Sequence, residues 1–296
     1  MTKTAGRVES LLEIHGAVVL FGLAGLFGKW LALSPLIIVL GRVVFASLAL
    51  GLLILAAKRS LRVAKPSDRL LFLCLGVLLA AHWTVFFLSV QVSTVAVGLL
   101  SYSSFPVFTA FLEPVIFRKR LDPFNVLFAG ICLLGVFLIV PRFTWTDAVF
   151  RGVLFGLAAG LTFAVLSIVN RLLTARHDSV KIVFWQDSVA ALVLLPFLFI
   201  LRPVLTGRDI GLLLFLGIVC TAGSHTLFIE AMRRQTAQTA SIISSLEPVY
   251  GIALAYLFLR EIPAPRTLLG GAVILAAVIV ISLRALRPIP SGKTPD

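Results

Sequence analysis

The chain has 296 residues, of which 59% are hydrophobic and only 13% are charged, and its net charge is +13. Soluble domains carry about 25% charged residues, so this composition excludes an ordinary soluble fold. The basic residues fall in short clusters between apolar runs. This pattern indicates membrane topology and argues against a nucleic-acid-binding surface.

Ten apolar runs follow one another along the chain, and a membrane-spanning helix needs roughly 20 such residues. The runs predict an all-α membrane protein with helices near residues 14–32, 36–57, 70–90, 95–117, 124–141, 152–173, 182–201, 210–231, 236–259 and 267–285. Lys3 and Arg7 before the first run resemble the start of a signal peptide, but we expect that run to stay in the protein as a helix. The proline-rich residues 287–296 predict a disordered cytoplasmic tail.

The positions of lysine and arginine predict the orientation of these helices. With the N-terminus in the cytoplasm, the inside segments hold more than twice as many basic residues as the outside segments. The positive-inside rule therefore predicts a multi-pass protein of the cell membrane, a bacterial inner membrane, with both termini cytoplasmic. No cofactor or metal is expected, because Cys74, Cys132 and Cys220 lie in apolar runs without metal-ligand spacing.

An internal repeat divides the ten runs into two groups of five. The stretch Leu-Phe-Gly-Leu-Ala-Gly at residues 20–25 resembles Leu-Phe-Gly-Leu-Ala-Ala-Gly at residues 154–160. Ser-Ser-Phe-Pro-Val at residues 103–107 likewise resembles Ser-Leu-Glu-Pro-Val at residues 245–249, and the same offset relates Arg118 to Arg260. Five is an odd number, so the second group enters the membrane with the opposite polarity, which is typical of secondary transporters. We predict one five-helix repeat over residues 1–145 and an inverted one over residues 146–286.

These motifs resemble those of the drug/metabolite transporter superfamily, EamA type. The resemblance covers nearly the whole chain and is carried by an aromatic helix end, a Ser/Thr/Ala-rich turn, a run of small residues and a Pro-Val pair, at residues 86–107 and again at residues 228–249. A glutamate closes the second copy at Glu261, whereas the first copy has Arg118-Lys119-Arg120. The resemblance implies a ten-helix transporter of small metabolites, most commonly an exporter.

Ionisable residues inside the runs are costly in hydrocarbon and usually face a cavity or a partner. His82 and Trp83 lie near the middle of the third run and are candidate substrate-binding residues. A histidine hydrogen-bonded between two helices is the alternative interpretation of His82. The other ionisable residues inside runs are Arg42, Glu113, Asp187, His225, Glu230 and Glu247.

Two repeat-equivalent regions predict further residues of a polar cavity. The candidates are Ser101 and Tyr102 in the fourth run and Ser241, Ser244, Ser245 and Glu247 in the ninth. Small hydroxyl residues on one helix face also permit close helix packing, which is the alternative. Glu247 is either a proton carrier or a structural partner of Arg42. Pro106 and Pro248 free backbone carbonyls at these points.

Trp185, Gln186 and Asp187 begin the seventh run, on the same predicted side as Asn170. Trp185 is a candidate substrate-binding residue at an inner gate, although an aromatic residue at the membrane interface explains it equally simply. Glu113 and Glu230 lie nearer a membrane surface, and Arg118, Lys119, Arg233 and Arg234 are their expected partners.

Together these features predict a secondary transporter of small organic metabolites, an exporter of amino acids or related amphipathic solutes, with drug efflux or metabolite uptake by the same fold as the alternative. The expected partners are a small-molecule substrate, the lipid bilayer and, as a candidate coupling ion, the proton; one chain is sufficient. A membrane-embedded enzyme is disfavoured, because the chain lacks the HExxH, GxSxG and Gly-Lys phosphate-loop motifs.

Overall fold

The computed structural model describes residues 3–63, 65–118, 120–174, 176–232 and 243–284, and these residues form helices and short connections without a strand. The helices are α1 (Lys3–Trp30), α2 (Pro35–Ala56), α3 (Pro66–Val92), α4 (Val95–Tyr102), α5 (Phe105–Ile116), α6 (Pro123–Ile139), α7 (Ala148–Thr174), α8 (Ser179–Leu201), α9 (Gly207–Gly217), a π-helical segment (Ile218–Gly223), α10 (Ser224–Met232), α11 (Glu247–Leu259) and α12 (Pro265–Arg284).

Among the described residues, seven helices or consecutive helix pairs are long and apolar enough to cross a membrane. Three shorter apolar helices lie at Pro123–Ile139, Glu247–Leu259 and Pro265–Val280. All ten predicted runs overlap one of these elements, and the protein is a multi-pass, all-helical membrane protein. The count of ten crossings and the inverted arrangement stay predictions.

Local sequence signals explain where several helices begin. Proline occupies the first helical turn of α2, α3 and α6, where its missing N–H costs no hydrogen bond. The carboxylate of Asp178 accepts a hydrogen bond from the N–H of Val180 at 3.0 Å and caps α8. Thr206 and Asp209 form a reciprocal capping box at the start of α9.

The predicted repeat has a counterpart in two helix breaks. α4 ends at Tyr102, and the chain turns through Ser103 and Ser104 before α5 begins at Phe105. In the second half, the chain turns at residues 245 and 246 before α11 begins at Glu247. A proline follows each new helix start, at Pro106 and Pro248, so the same local sequence interrupts a helix at the same place in both halves.

Four basic residues adopt a left-handed backbone conformation, and all four follow helices that correspond in the two predicted repeats. Lys58 and Arg202 follow α2 and α8, and Arg118 and Arg260 follow α5 and α11, with φ between 43° and 54°. A left-handed residue ends a helix, and a positive side chain there complements the partial negative charge of the exposed carbonyls. The sequence therefore ends both pairs of helices in the same way.

Contacts between the two halves also occur in corresponding pairs. Helices α3, α4 and α5 of the first half pack on α7, the first helix of the second half. In the corresponding way, α10 and α11 of the second half pack on α1, the first helix of the first half. α2 packs on α8, and α6 on α12. Small residues permit these approaches: a Cβ atom on Gly22 would lie 2.8 Å from the Gly251 nitrogen. The principal apolar core, which includes Phe27, Phe86 and Leu99, lies between the halves.

Candidate substrate site

A buried arginine lies at the centre of the interface between the halves. Arg42, on α2, is wholly inaccessible to solvent. Its guanidinium carbon lies 3.5 Å from the centroid of the Trp83 ring, which is cation–π geometry. Nε donates to the hydroxyl of Thr221 at 3.0 Å, whereas Nη1 and Nη2 have no hydrogen-bond partner. Arg42 is therefore fixed along one edge, and its two terminal nitrogens have no hydrogen-bond partner.

The π-helical segment explains how Thr221 meets Arg42. Its wider turn lets the Thr221 hydroxyl donate to the carbonyl of Leu216, five residues earlier, at 2.8 Å while it accepts from Arg42. Gly217 lies against α2, and a Cβ atom there would come within 2.7 Å of the Arg42 carbonyl oxygen. π-Helical turns inside α-helices occur frequently at functional sites.

Two acidic residues of the second half lie near this arginine. Asp187 on α8 is fully buried, and neither of its carboxylate oxygens has a hydrogen-bond partner. Glu247, the first residue of α11, is 6% exposed. Both carboxyl groups interact electrostatically with Arg42, and Glu247 also interacts with Tyr102. The interface therefore contains one cation and two acids in an otherwise apolar surrounding.

Aromatic rings form a wall beside these charges. The ring of His82 lies 5.0 Å from Trp83 and 5.7 Å from Tyr102, measured between centroids. Tyr102 stacks on Phe105 at the first helix break, at 5.5 Å. His225 on α10 stacks on Trp83 at 6.3 Å. Both halves thus contribute rings to one cluster around the arginine.

His82 forms a hydrogen bond between two helices, and its role as a substrate-binding residue stays a prediction. Its Nδ1 lies 3.0 Å from the carbonyl oxygen of Ala159 on α7, so Nδ1 carries the proton and donates across the interface. The hydroxyl of Thr162 lies 3.2 Å from the same nitrogen. The hydrogen bond fixes the ring, and in the neutral tautomer Nε2 is an acceptor.

The structure brings His82, Trp83, Tyr102 and Glu247 together, but it places other predicted site residues elsewhere. Ser101 is buried where α4 meets α7, and a Cβ atom on Gly156 would lie 2.5 Å from its Cβ, so Ser101 occupies a close helix contact. Its hydroxyl oxygen has no hydrogen-bond partner. Ser244 and Ser245 are buried just before Glu247. Ser241 lies outside the described residues.

Trp185 lies away from the aromatic cluster. Its indole nitrogen donates to the carbonyl of Leu61 in the connection between α2 and α3, at 3.1 Å. Trp185 is the seventh residue of α8, and its role as a substrate-binding residue stays a prediction. Glu113 pairs with Arg171 at 3.0 Å. Arg171 is not among the partners that the sequence predicted, which were Arg118, Lys119, Arg233 and Arg234.

Several residues of the cluster were missed or undervalued by sequence reasoning. Arg42 and Asp187 were noted as ionisable residues within spans, but neither was chosen as substrate-binding. Thr221 and Phe163, whose ring lies 5.3 Å from that of His82, carry no sequence signal, since a threonine or phenylalanine inside an apolar run is common. A usable signal for Arg42 was its position well inside the second run, remote from either end, where an arginine needs a partner.

Polar contacts join the halves at both ends of the helices. At one end, which we call the Lys58 end, Arg59 pairs with Asp178 at 2.8 Å, and Asp68 contacts Arg176 at 3.0 Å and His177 at 2.8 Å.

At the opposite end, the Lys29 end, the carboxylate of Glu261 accepts hydrogen bonds from the N–H groups of Val95 and Ala96, both at 3.3 Å. Lys29 donates to the carbonyl of Ser93 at 2.7 Å and is attracted electrostatically by Glu261. The closing glutamate of the second half therefore caps α4 of the first half.

Comparisons with known proteins agree with this architecture. The chain is 27% identical over 246 residues to the pseudopaline exporter CntI of Pseudomonas aeruginosa, covering 81% of this chain and 85% of that protein. It is 25% identical to an S-adenosylmethionine uptake transporter of Rickettsia felis, covering 76% and 74% of the two chains. A solved crystal structure shares the fold, with a TM-score of 0.66 and 18% sequence identity over 93% of this chain and 97% of that chain.

A sequence profile of the EamA-like transporter family matches residues 10–140 and again residues 150–283. The two matches together span nearly all of the chain, and each covers one of the halves described above. The protein therefore belongs to the EamA-like transporter family and is a small-molecule transporter, not an enzyme.

Proposed function

We propose that the protein is a secondary transporter that exports amino acids or related amphipathic solutes from the cytoplasm across the cell membrane. The observation that carries the proposal is the buried cluster between the halves. In this cluster Arg42 lies over Trp83 and interacts electrostatically with Asp187 and Glu247. Charged groups at such depth mark substrate and ion pathways. Aromatic faces beside them suit a solute with an apolar part. Drug efflux and metabolite uptake by the same fold are the competing functions.

The proposed transport cycle uses ten crossings in two inverted repeats, with both termini cytoplasmic, and rocks one half against the other around the cluster. The matching helix breaks, the four left-handed basic residues and the paired contacts between halves support this arrangement. Both halves of the cluster come from one chain, so a monomer is sufficient. The relative named as an exporter supports the direction, although the second relative is named for uptake.

The proposal is tested with the purified protein in liposomes loaded with single solutes from a panel of amino acids, organic cations and metabolites. Uptake of labelled solute against its own unlabelled pool identifies the substrate. Trp83→Leu removes the ring under Arg42; a desolvated cation–π contact is worth about 2 kcal/mol, so transport should fall roughly thirtyfold. Trp145 is 61% exposed and lies in the connection between α6 and α7, so Trp145→Leu is the matched control.

Two results contradict the proposal. One is a protein that moves no solute of the panel. The other is a Trp83→Leu variant that transports as well as Trp145→Leu while both remain folded, since the buried cluster would then not be the transport site.

Coupling to protons is tested separately at Glu247. If this carboxylate carries the proton, Glu247→Gln abolishes transport driven by an imposed pH gradient but leaves solute exchange without a gradient. If Glu247 is a structural partner of Arg42, the variant lowers both activities and the thermal stability together.

A further inference from the structure

Arg42 and Asp187 both retain unused hydrogen-bonding capacity in a place without solvent. Arg42 keeps two unpartnered donors, Nη1 and Nη2, and Asp187 keeps two unpartnered oxygens, although each residue feels the other's charge. Both side chains are completely buried. Buried charges that do not contact a partner are strongly unfavourable. A ligand that contacts both residues would satisfy all four atoms.

The two residues call for opposite charges on one ligand. The paired terminal nitrogens of an arginine match the two oxygens of a carboxylate, and this pairing is stronger than that of neutral groups. An ammonium group supplies three donors and a positive charge that favours the ionised form of Asp187, whose oxygens then accept hydrogen bonds only. Because Arg42 is fixed by Thr221 and by the Trp83 ring, its free nitrogens are held in place before a ligand arrives.

The remaining surroundings define the rest of the ligand. Trp83 lies beneath Arg42, and the rings of Phe86 and His82 lie 5.6 and 5.0 Å from Trp83. Tyr102 extends this wall toward the first helix break. An apolar or aromatic side chain packs favourably on such faces.

We infer that Arg42 and Asp187 are the two charge-recognition residues of the substrate site: Arg42 binds the carboxylate and Asp187 binds the ammonium group of an α-amino acid whose side chain is apolar. The inference rests on the proposed function, because it assigns the ligand of that same buried cluster. It also explains why a fold with so few internal charges places an arginine and an aspartate on the facing helices α2 and α8.

The test uses three probes of one shape: phenylalanine, phenylalaninamide and 3-phenylpropionate. The amide lacks the carboxylate, and the propionate lacks the ammonium group. In wild-type proteoliposomes, phenylalanine should compete for exchange at least about tenfold better than either relative, since a hydrogen-bonded charged group contributes that much or more. Equal competition by all three would overturn the inference.

Variants then assign each charge. In Arg42→Gln, phenylalanine should compete no better than phenylalaninamide, and competition by the amide should be unchanged. In Asp187→Asn, phenylalanine should compete no better than 3-phenylpropionate, and competition by the propionate should be unchanged. Arg42→Lys, which keeps the charge but not the fork, should recover part of the preference. If the two residues have only a structural role, each variant should weaken competition by the three probes equally, and that result contradicts the inference.

Matched controls use the same substitutions on the same two elements. Arg59 follows α2 and pairs with Asp178, the N-cap of α8, at 2.8 Å. Arg59→Gln and Asp178→Asn should leave the preferences among the probes unchanged. If Glu247→Gln, in place of Asp187→Asn, abolishes the preference for the ammonium group, the assignment to Asp187 is wrong.

The outcomes separate the inference from the proposed function. Transport of some other solute with no competition by phenylalanine contradicts the inference alone. Failure to transport any solute of the panel contradicts both.

Discussion

The contact of Glu261 with α4 allows a quantitative prediction about the Lys29 end. The carboxylate accepts from two backbone N–H groups at 3.3 Å each, across the interface between the halves. A negative charge in this position at a helix N-terminus contributes about 0.3–1 kcal/mol, and the hydrogen bonds are long, so each lies at the lower end of the usual range of about 0.5–1.5 kcal/mol. Glu261→Ala should therefore destabilise the protein by about 2 kcal/mol.

Glu261→Gln should cost about half as much, because the amide keeps one carbonyl acceptor but loses the charge and the second acceptor. About 1 kcal/mol corresponds to a fall of roughly 2–4 °C in the unfolding temperature for a protein of this size or slightly smaller. The assay is thermal unfolding of detergent-purified protein, compared at low and high salt. Raised salt should lessen the difference between wild type and Glu261→Gln.

Glu113→Gln provides a matched control at the other end of the helices. Glu113 also joins the halves, but its partner Arg171 is 69% exposed, so the loss should stay below about 0.5 kcal/mol. The reasoning is refuted if Glu261→Gln leaves the unfolding temperature unchanged, or if Glu113→Gln lowers it by as much as Glu261→Gln.

Three further substitutions test the packing and the backbone. Gly135→Ala places a Cβ atom 2.8 Å from the Gly270 carbonyl oxygen and should cost about 1–3 kcal/mol in thermal unfolding, whereas Gly130→Ala in the same helix meets nothing within 4 Å and should be neutral or stabilising. Arg260→Gly relieves a left-handed arginine at φ 54°, worth about 1–2 kcal/mol, and loses the positive charge at the helix end, worth about 0.3–1 kcal/mol, so the unfolding temperature should rise by the equivalent of about 0.5–1 kcal/mol; a lower temperature would count against the strain. His82→Leu removes a 3.0 Å hydrogen bond to the Ala159 carbonyl, which still accepts from the Thr162 hydroxyl at 2.9 Å, so the substitution should cost about 0.5–1.5 kcal/mol; an unchanged unfolding temperature would show that this hydrogen bond is dispensable.

Helices and their breaks were readable from the chain because their causes are local. Apolar runs of about 20 residues predict membrane helices, since the backbone must satisfy its hydrogen bonds within the segment. Pro106 and Pro248 predicted freed backbone carbonyls, and the helix interruptions lie directly before them, because proline cannot continue a preceding turn. The family model matches residues 10–140 and again residues 150–283, and the predicted division between residues 145 and 146 stays a prediction.

The site was only partly readable. Depth in an apolar run predicts His82 and Trp83, the repeat-equivalent regions predict Tyr102 and Glu247, and the fold brings the four together. The same regions predict Ser101, which lies in a helix contact, because helix rotation decides which face meets Gly156 and which meets the cluster. Trp185 lies two residues before Asp187 on α8, but its indole nitrogen donates to the Leu61 carbonyl in the connection between α2 and α3, so its side chain is engaged away from the cluster.

The sequence by itself determined the class of protein, the approximate helices and the repeat, because hydropathy, charge and proline act over a few neighbouring residues. Only the tertiary structure decided the arrangement at the centre. Arg42, Trp83, Asp187 and Thr221 lie far apart in the chain, and Arg42 bonds to Thr221 across 179 positions. Their meeting depends on how α2, α3, α8 and the π-helical segment pack, and that packing is set by close contacts such as Gly217 against α2, which no single apolar run reveals.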